Sequence, residues 1–244
     1  MSSRPDLKLD WCSHEAAEYA CKNWHYSRCT PSGRLSKIGV WEDSSFIGCI
    51  IFSHGANKNI GGPYRLNQYQ CIELTRIALK NHKTPVSRLV KIAISIIKKK
   101  NPNLKLIVSY ADIDQDHIGV VYQAGNWIYV GQTGVGARTG FIIKGRKTHN
   151  KTVHSRGVRQ TIKDVRTYLD PEAEEHFSFG KHKYLYPLSD DMRQKIEPLR
   201  KPHPKKKDMR VGSVAVSTSS SHEEGGGSIP TPTHLKIDGV DATT

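Results

Sequence analysis

The chain has 244 residues and carries 37 lysines and arginines against 23 aspartates and glutamates, for a formal net charge of +14. Such a surplus points to a polyanionic partner, nucleic acid first among them, while leaving fold and chemistry open. No uncharged apolar run reaches membrane-spanning length, and the opening MSSRPDLKLD lacks the apolar core of a secretory signal, so the chain is expected to work where it is made.

The spacing predicts a helix over Asp10 to Lys22, capped by Ser13, with Ala16, Ala17, Ala20 and Cys21 on one face. NWHYSRCTPSGRL follows as a loop marked by Pro31 and Gly33. Trp24, His25, Tyr26 and Arg28 crowd it, either to stack on a nucleobase or to anchor the core. From Lys37 the chain reads as a β-hairpin turning at Glu42 to Ser45, then as an open loop, NKNIGGP. The five cysteines, Cys12, Cys21, Cys29, Cys49 and Cys71, are irregularly spaced with no C-x-x-C pair and read as reduced thiols.

Cys71 to Leu79 reads as a strand with Ile72, Leu74 and Arg76 on one face and Glu73, Thr75 and Ile77 on the other. Thr84 before Pro85 reads as the cap of a helix through VSRLVKIAISIIKKK. Free N–H groups at its start, among Lys80, His82, Lys83, Ser87 and Arg88, suit an anionic donor group; Lys98, Lys99 and Lys100 complement its other end.

Leu104 to Gly131 reads as strand, helix, strand. An apolar run to Tyr110 is followed by a helix from Ile118 to Ala124 capped by Asp116, a stop at Gly125, and an aromatic strand from Asn126 to Val130. Ser109, Asp112 and Asp114 fall at the first strand's end, where ligands bind in open α/β sheets. Asp112, Asp114 and Asp116 do not make a calcium loop, because His117 and Gln123 stand where glycine and glutamate are needed.

GQTGVGARTG lacks the Gly-Lys-Ser/Thr ending of a phosphate loop. With the strand Gly140 to Lys144 and a connection containing Lys147, His149, His154 and Arg156, it reads as a phosphate-facing surface. A short helix, Gln160 to Leu169, and a last strand, Phe179 to Leu188, complete the pattern; Lys181 and Lys183 alternate there with aromatics. Residues 1–197 form the expected folded domain. From Pro198 a Pro-, Lys-, Ser- and Gly-rich composition predicts a disordered basic tail, 198–244.

The order of elements implies an α/β fold with a mixed sheet flanked by helices. It resembles the GNAT acyltransferase fold, through CIELTRIAL and LKLIVSYAD joined by the Thr84 helix, then VVYQAGNWIYVG. That superfamily's glycine-rich pyrophosphate loop is replaced by KNHKTPVS. HYSRCTPSGRLSKIGVWED, FIGCIIFSHGAN, ELTRIALKNHKTPVSRLVKIA, IGVVYQAGNWIYVG and GKHKYLYPL together resemble the phage Mom proteins, a narrower family. The resemblance implies a transferase in the cytoplasm of an infected bacterial host. Such an enzyme converts adenine in double-stranded DNA to N6-carbamoylmethyladenine and protects phage DNA from restriction. An ordinary N-acyltransferase and a non-catalytic DNA-binding protein are the alternatives.

On that resemblance Asp112 is the expected base, with His25 as its alternative; Arg76 holds an anionic part of the donor, and Tyr122 protonates the leaving group. Tyr26 and Ser109 complete the site, while Trp24, Arg28, Lys147, Arg156, Lys181 and Lys183 are the expected nucleic-acid contacts. The donor stays open between acyl-CoA and an aminoacyl-tRNA end. No metal site is assigned, although His25, Tyr26 and Asp112 leave an iron-dependent step open.

Overall fold

The computed structural model describes residues 4–54 and 59–205. Strand β1 (Leu7–Trp11) leads into helix α1 (His14–Trp24), which starts where Ser13 Oγ accepts the Ala16 N–H at 3.2 Å. The predicted hairpin is β2 (Leu35–Glu42) and β3 (Ser45–Ser53), turned by Asp43 and Ser44, both at positive φ. This turn matches the twist of the paired strands. Next come β4 (Cys71–Leu79), α2 (Val86–Lys100), β5 (Leu106–Asp112), α3 (Val120–Ala124) and β6 (Ile128–Thr133). The chain then builds β7 (Arg138–Ile143), β8 (Arg146–His149), α4 (Asn150–Ser155), α5 (Ile162–Tyr168) and β9 (Glu174–Phe177), before returning as β10 (Lys181–Pro187) and α6 (Asp190–Ile196).

The main sheet runs β1-β2-β3-β4-β5-β10-β6, mixed because β4 and β5 are parallel while every other neighbouring pair is antiparallel. β3 is buried continuously from Ile47 to Ser53, so both faces need cover. Leu89, Ala93, Ile94 and Ile97 of α2 cover one face over Ile38, Val40, Ile50, Phe52 and Ile107. On the other, Ala17, Ala20 and Cys21 of α1 pack on Cys49, Ile51 and Ala78, and α6 packs Met192 and Ile196 on Leu106, Val108 and Leu185. Residues of the 134–179 stretch make a second sheet, β8-β7-β9, with its own core of Phe141, Val153, Val165 and Ala173.

Alternation along β4 breaks at a bulge: Ile51 pairs with Arg76 but Phe52 pairs with Leu74, leaving Thr75 as the extra residue. Ile72 and Leu74 face the α2 side, and so do Ile77 and Leu79, while Ala78 faces α1. Arg76 therefore does not share a face with Ile72 and Leu74, as strict alternation predicts. Beyond the bulge β4 also leaves β5; their pairing ends at Leu74 and Ser109, although the strands continue to Leu79 and Asp112.

Two predicted caps are corrected. Thr84 does not cap α2, because its N–H and that of Lys83 go to the side chain of Glu42. Asp116 does not cap α3 but closes a 3-10 turn at φ 56°, and α3 starts after Gly119 at φ 75°. A side chain at Gly119 would come within 2.5 Å of the Tyr184 ring, so the position needs glycine twice over. Asn126 likewise sits at positive φ ahead of β6, which starts at Ile128.

The chain stays with the fold beyond residue 197. Lys201 N donates to Tyr129 O at 2.8 Å along β6, and the His203 ring stacks on Tyr184 at 6.2 Å. The composition shift at Pro198 therefore precedes the last packed residue by several positions, and 206–244 lie outside the described residues. Among the described residues no helix is long and apolar enough to cross a membrane.

Candidate active site

A cavity of about 520 Å³ opens where β4 and β5 part. Its walls are His25 and Tyr26 after α1, Thr75 to Ile77 on β4, Val86 at the start of α2, and Asp116 to Tyr122 leading into α3. The bulge that turns Arg76 away from the α2 core is what delivers its side chain here. A second hollow, about 680 Å³, lies between α2 and the start of α6, away from the splay.

Tyr26 joins the charged residues. Its phenol lies within electrostatic reach of the Asp112 carboxylate and the Arg76 guanidinium; burial first and Asp112 second push it above the ordinary phenol value. Asp112 stands just outside the cavity wall, at the end of β5, where it also accepts the Asp114 N–H at 3.1 Å. Arg76 gives one nitrogen to the Thr75 carbonyl at 2.7 Å, while its Nε is buried without a partner. Among the described residues no carboxylate lies within ion-pair distance of it. A half-buried cation so placed is matched to an anionic ligand group.

His25 stacks on Tyr26 at 4.3 Å, and Tyr26 meets His117 edge-on at 5.4 Å. Burial, with Arg76 and His117 nearby, pushes the His25 imidazole down to about 4. Its Nδ1 accepts the Ser27 N–H at 3.1 Å, which leaves the neutral ring's proton on Nε2. At neutral pH His25 thus offers a donor to the cavity, and Asp112 remains the candidate base.

Ser109 is fully buried and touches both the Leu74 carbonyl and the Tyr122 hydroxyl, each at 2.8 Å. A carbonyl only accepts, so the single Ser109 proton goes to Leu74 and Tyr122 donates its own proton to Ser109 Oγ. Burial pushes Tyr122 up to about 12, which keeps it protonated. Tyr184 holds the adjoining wall through its hydroxyl on the Ile118 carbonyl.

The profile of the Mom protein family matches residues 6–205. The chain belongs to that family. A curated relative, the methylcarbamoylase mom of Escherichia phage Mu, is 26% identical over 130 residues, 52% of this chain and 54% of that protein. The chain thus spans about half the length of the curated relative it matches. Among solved structures, a mutant SpeG spermidine N-acetyltransferase from Vibrio cholerae aligns at a TM-score of 0.44 and 10% identity, over 78% of this chain and 96% of that one. The NatC complex bound to Gag peptide and CoA aligns at 0.40 and 10%, over 75% and 99%.

The turn that leads into α2 in this Mom family member has no free N–H at Lys83 or Thr84 to offer an anionic donor group. Glu42, 4% exposed, takes both: its carboxylate accepts Lys83 N at 2.8 Å and Thr84 N at 2.7 Å. Burial alone would push Glu42 up, but these N–H groups outweigh it and hold it below its ordinary value. Lys83 is itself paired with Asp43 at 2.9 Å, and Lys80 lies over the Trp24 ring at 5.8 Å. Of the expected donor contacts, Ser87 is half-buried and Arg88 exposed, without a side-chain bond between them.

The expected nucleic-acid contacts separate into two groups. Trp24 packs among Tyr19 and Phe46, Arg28 binds the Lys22 and Asn23 carbonyls at the end of α1, and Lys183 lies half-buried over the Tyr64 ring at 5.1 Å. Each of the three has a partner within the protein, Arg28 from an exposed position and Trp24 at the cavity wall. Lys147, Arg156 and Lys181 are exposed. Among the described residues no three His, Cys, Asp or Glu side chains converge at metal-holding spacing. Glu42 and His117 carry no site signal in the sequence: Glu42 reads as a turn residue, and His117 stands where a calcium loop needs glycine.

Proposed function

We propose that this Mom family member is a DNA-modifying transferase that converts adenine in double-stranded DNA to N6-carbamoylmethyladenine, in the cytoplasm of an infected bacterium, shielding phage DNA from restriction. The observation that carries the reading is the convergence of Tyr26, Arg76, Tyr122 and, through Tyr26, Asp112 on one cavity of about 520 Å³ in a chain of this family. The cavity is wide enough for a base, and Tyr26, 48% exposed at its rim, presents a ring for one to stack on.

Adenine N6 is a weak nucleophile because its lone pair is delocalised into the ring. As the N6–C bond to the donor forms, the surplus N6 proton must leave, and the Tyr26–Asp112 pair receives it. Arg76 holds the anionic part of the donor or a developing oxyanion, and Tyr122 turns its proton from Ser109 to the departing group. The product requires the N6–C bond to form at the methylene carbon of the transferred unit; attack on the carbonyl of a glycyl ester would give the isomeric N6-glycyladenine instead.

Mass spectrometry of nucleosides from cells expressing the chain tests this. A new adenine derivative of carbamoylmethyl mass supports the reading; unmodified adenine at high soluble expression overturns it.

A further inference from the structure

Between β6 and β10, which lie side by side in the main sheet with Thr133 opposite Lys181, the chain leaves to build the β8-β7-β9 sheet with α4 and α5. Its core, with Phe141, Val153, Val165 and Ala173 fully buried, is separate from the cores that shape the cavity. Its charge is segregated along the sequence. From Arg138 to Arg166 there are nine lysines and arginines and one acid, Asp164; from Asp170 to Glu175 there are four acids and no cation.

The strand order converts that sequence polarity into opposite edges. β8, with Arg146 and Lys147 exposed, forms one edge, and β9, with Glu174 and Glu175 exposed, forms the other. Among the described residues only Arg138 of these cations has a carboxylate within ion-pair distance, Glu175 at 3.4 Å. The basic edge is also held in shape. Lys144 and Gly145 turn it at φ 49° and 70°, and Asp170 accepts the Lys144 N–H at 2.6 Å.

The return of the module is bonded to the end of β5, beside the cavity. Ile113 N donates to Gly180 O, Phe179 N to Asp114 Oδ1 at 2.9 Å, and Lys181 pairs with Asp112. His149 at the end of β8 lies within electrostatic reach of Lys181. The edge is chemically selective too: residues 144–163 contain no Phe, Tyr or Trp. Single-strand grooves interleave cations with stacking rings, whereas a surface of cations alone reads phosphates, and a two-stranded ribbon matches the width of a major groove.

We infer that residues 134–179 are a duplex-docking module, whose β8 edge and α4 grip the phosphate backbone of double-stranded DNA and hold it against the cavity mouth. The inference rests on the reading of duplex DNA as substrate, but the docking it describes is measurable without turnover.

The test is binding of a fluorescent duplex and of the matching single strand to the full chain across a salt series. The variants combine Arg146→Gln, Lys147→Gln, Lys151→Gln and Arg156→Gln, with Lys91→Gln and Lys99→Gln in the second hollow as the basic control. Duplex affinity should fall roughly a hundredfold in the module variant, and the slope of log K against log salt by about 3 to 4, at unchanged melting temperature. The charge-conserving pair Arg146→Lys with Lys147→Arg, made in the parent, and the control should both bind like the parent. Equal loss in the control, or single-strand binding as tight as duplex binding, would overturn the module's role. Duplex binding that maps to the module with no adenine product in cells would defeat the catalytic reading alone, and product formation untouched by the module variant would defeat the docking alone.

Discussion

Glu42 reaches across from the end of β2 to accept the N–H of Thr84 at 2.7 Å, so the turn entering α2 carries an internal carboxylate on backbone N–H groups that an anionic donor could otherwise use. Two consequences follow, one for ligand binding and one for stability. Coenzyme A should not raise the melting temperature of the protein, whereas Glu42→Ala, which vacates the N–H groups, should make a weak anion site there. A clear thermal shift of the parent chain by coenzyme A would show that this carboxylate does not keep such a donor out.

Glu42→Gln should cost roughly 1.5–3 kcal/mol at neutral pH, the range for hydrogen bonds to a charged group. Glu42 is held below its ordinary 4.5 in the folded state, so its contribution is fully present above 4.5 and is lost as pH falls through the lower folded value. Denaturant titrations of parent and variant should therefore converge below pH 4.5; a gap that widens there would contradict the arrangement.

Ser109 and Tyr122 separate structure from chemistry. Ser109→Ala strips partners from both the Leu74 carbonyl and the buried Tyr122 hydroxyl and should cost about 1–3 kcal/mol, while Tyr122→Phe leaves Ser109 bonded to Leu74 and should cost less. Activity should rank the other way, with Tyr122→Phe losing about a hundredfold or more in kcat. Equal activity in Tyr122→Phe and the parent would remove Tyr122 from the reaction.

How far the sequence disclosed these features depends on the distance between partners. The Ser13 cap, the turn at Asp43 and Ser44 and the β4-α2-β5 unit were readable because each is decided by residues a few positions apart. The Glu42–Thr84 contact spans 42 residues and leaves no local pattern. The bulge at Thr75 was hidden because one inserted residue looks like an imperfect alternation, yet it decides where Arg76 points. The 134–179 stretch shows in the sequence as loop, one strand and the short helix at 160–169, because β8 and β9 have 4 residues each, too few for a period to show.

His25 supplies a pH signature. Its imidazole is pushed from 6.5 down to about 4, so the unfolded chain takes up a proton between those values and the folded one does not. Stability from this group is present above 6.5 and drains away as pH falls toward 4. His25→Gln should accordingly lose less stability than the parent between pH 6.5 and 4, and the parent's kcat/KM profile should show no His25 limb near 6.5. A parent and variant with parallel stability profiles would show that the ring is protonated normally.

The most discriminating prediction concerns the three aspartates after β5, which the structure assigns to different tasks. Asp112 faces Tyr26 within electrostatic reach; Asp114 accepts Phe179 N at 2.9 Å and so ties down the returning end of the docking module; Asp116 closes a turn at φ 56°. Asparagine keeps an acceptor oxygen for the Asp114 contact and tolerates a left-handed backbone at Asp116, so both single changes should leave adenine modification within about threefold of the parent. Asp112→Asn retains shape but not basicity, and should lower modification by about a hundredfold or more at unchanged melting temperature and duplex affinity. Tyr26→Phe, which breaks the link between the cavity and Asp112, should reproduce that loss if the proton passes through the phenol, and should spare most activity if Asp112 meets the base directly. All variants are expressed at equal soluble levels and scored by nucleoside mass spectrometry. Full activity in Asp112→Asn would end its role as the base, and equal loss in all three aspartate variants would point to a shared function of the acidic cluster rather than to one proton acceptor.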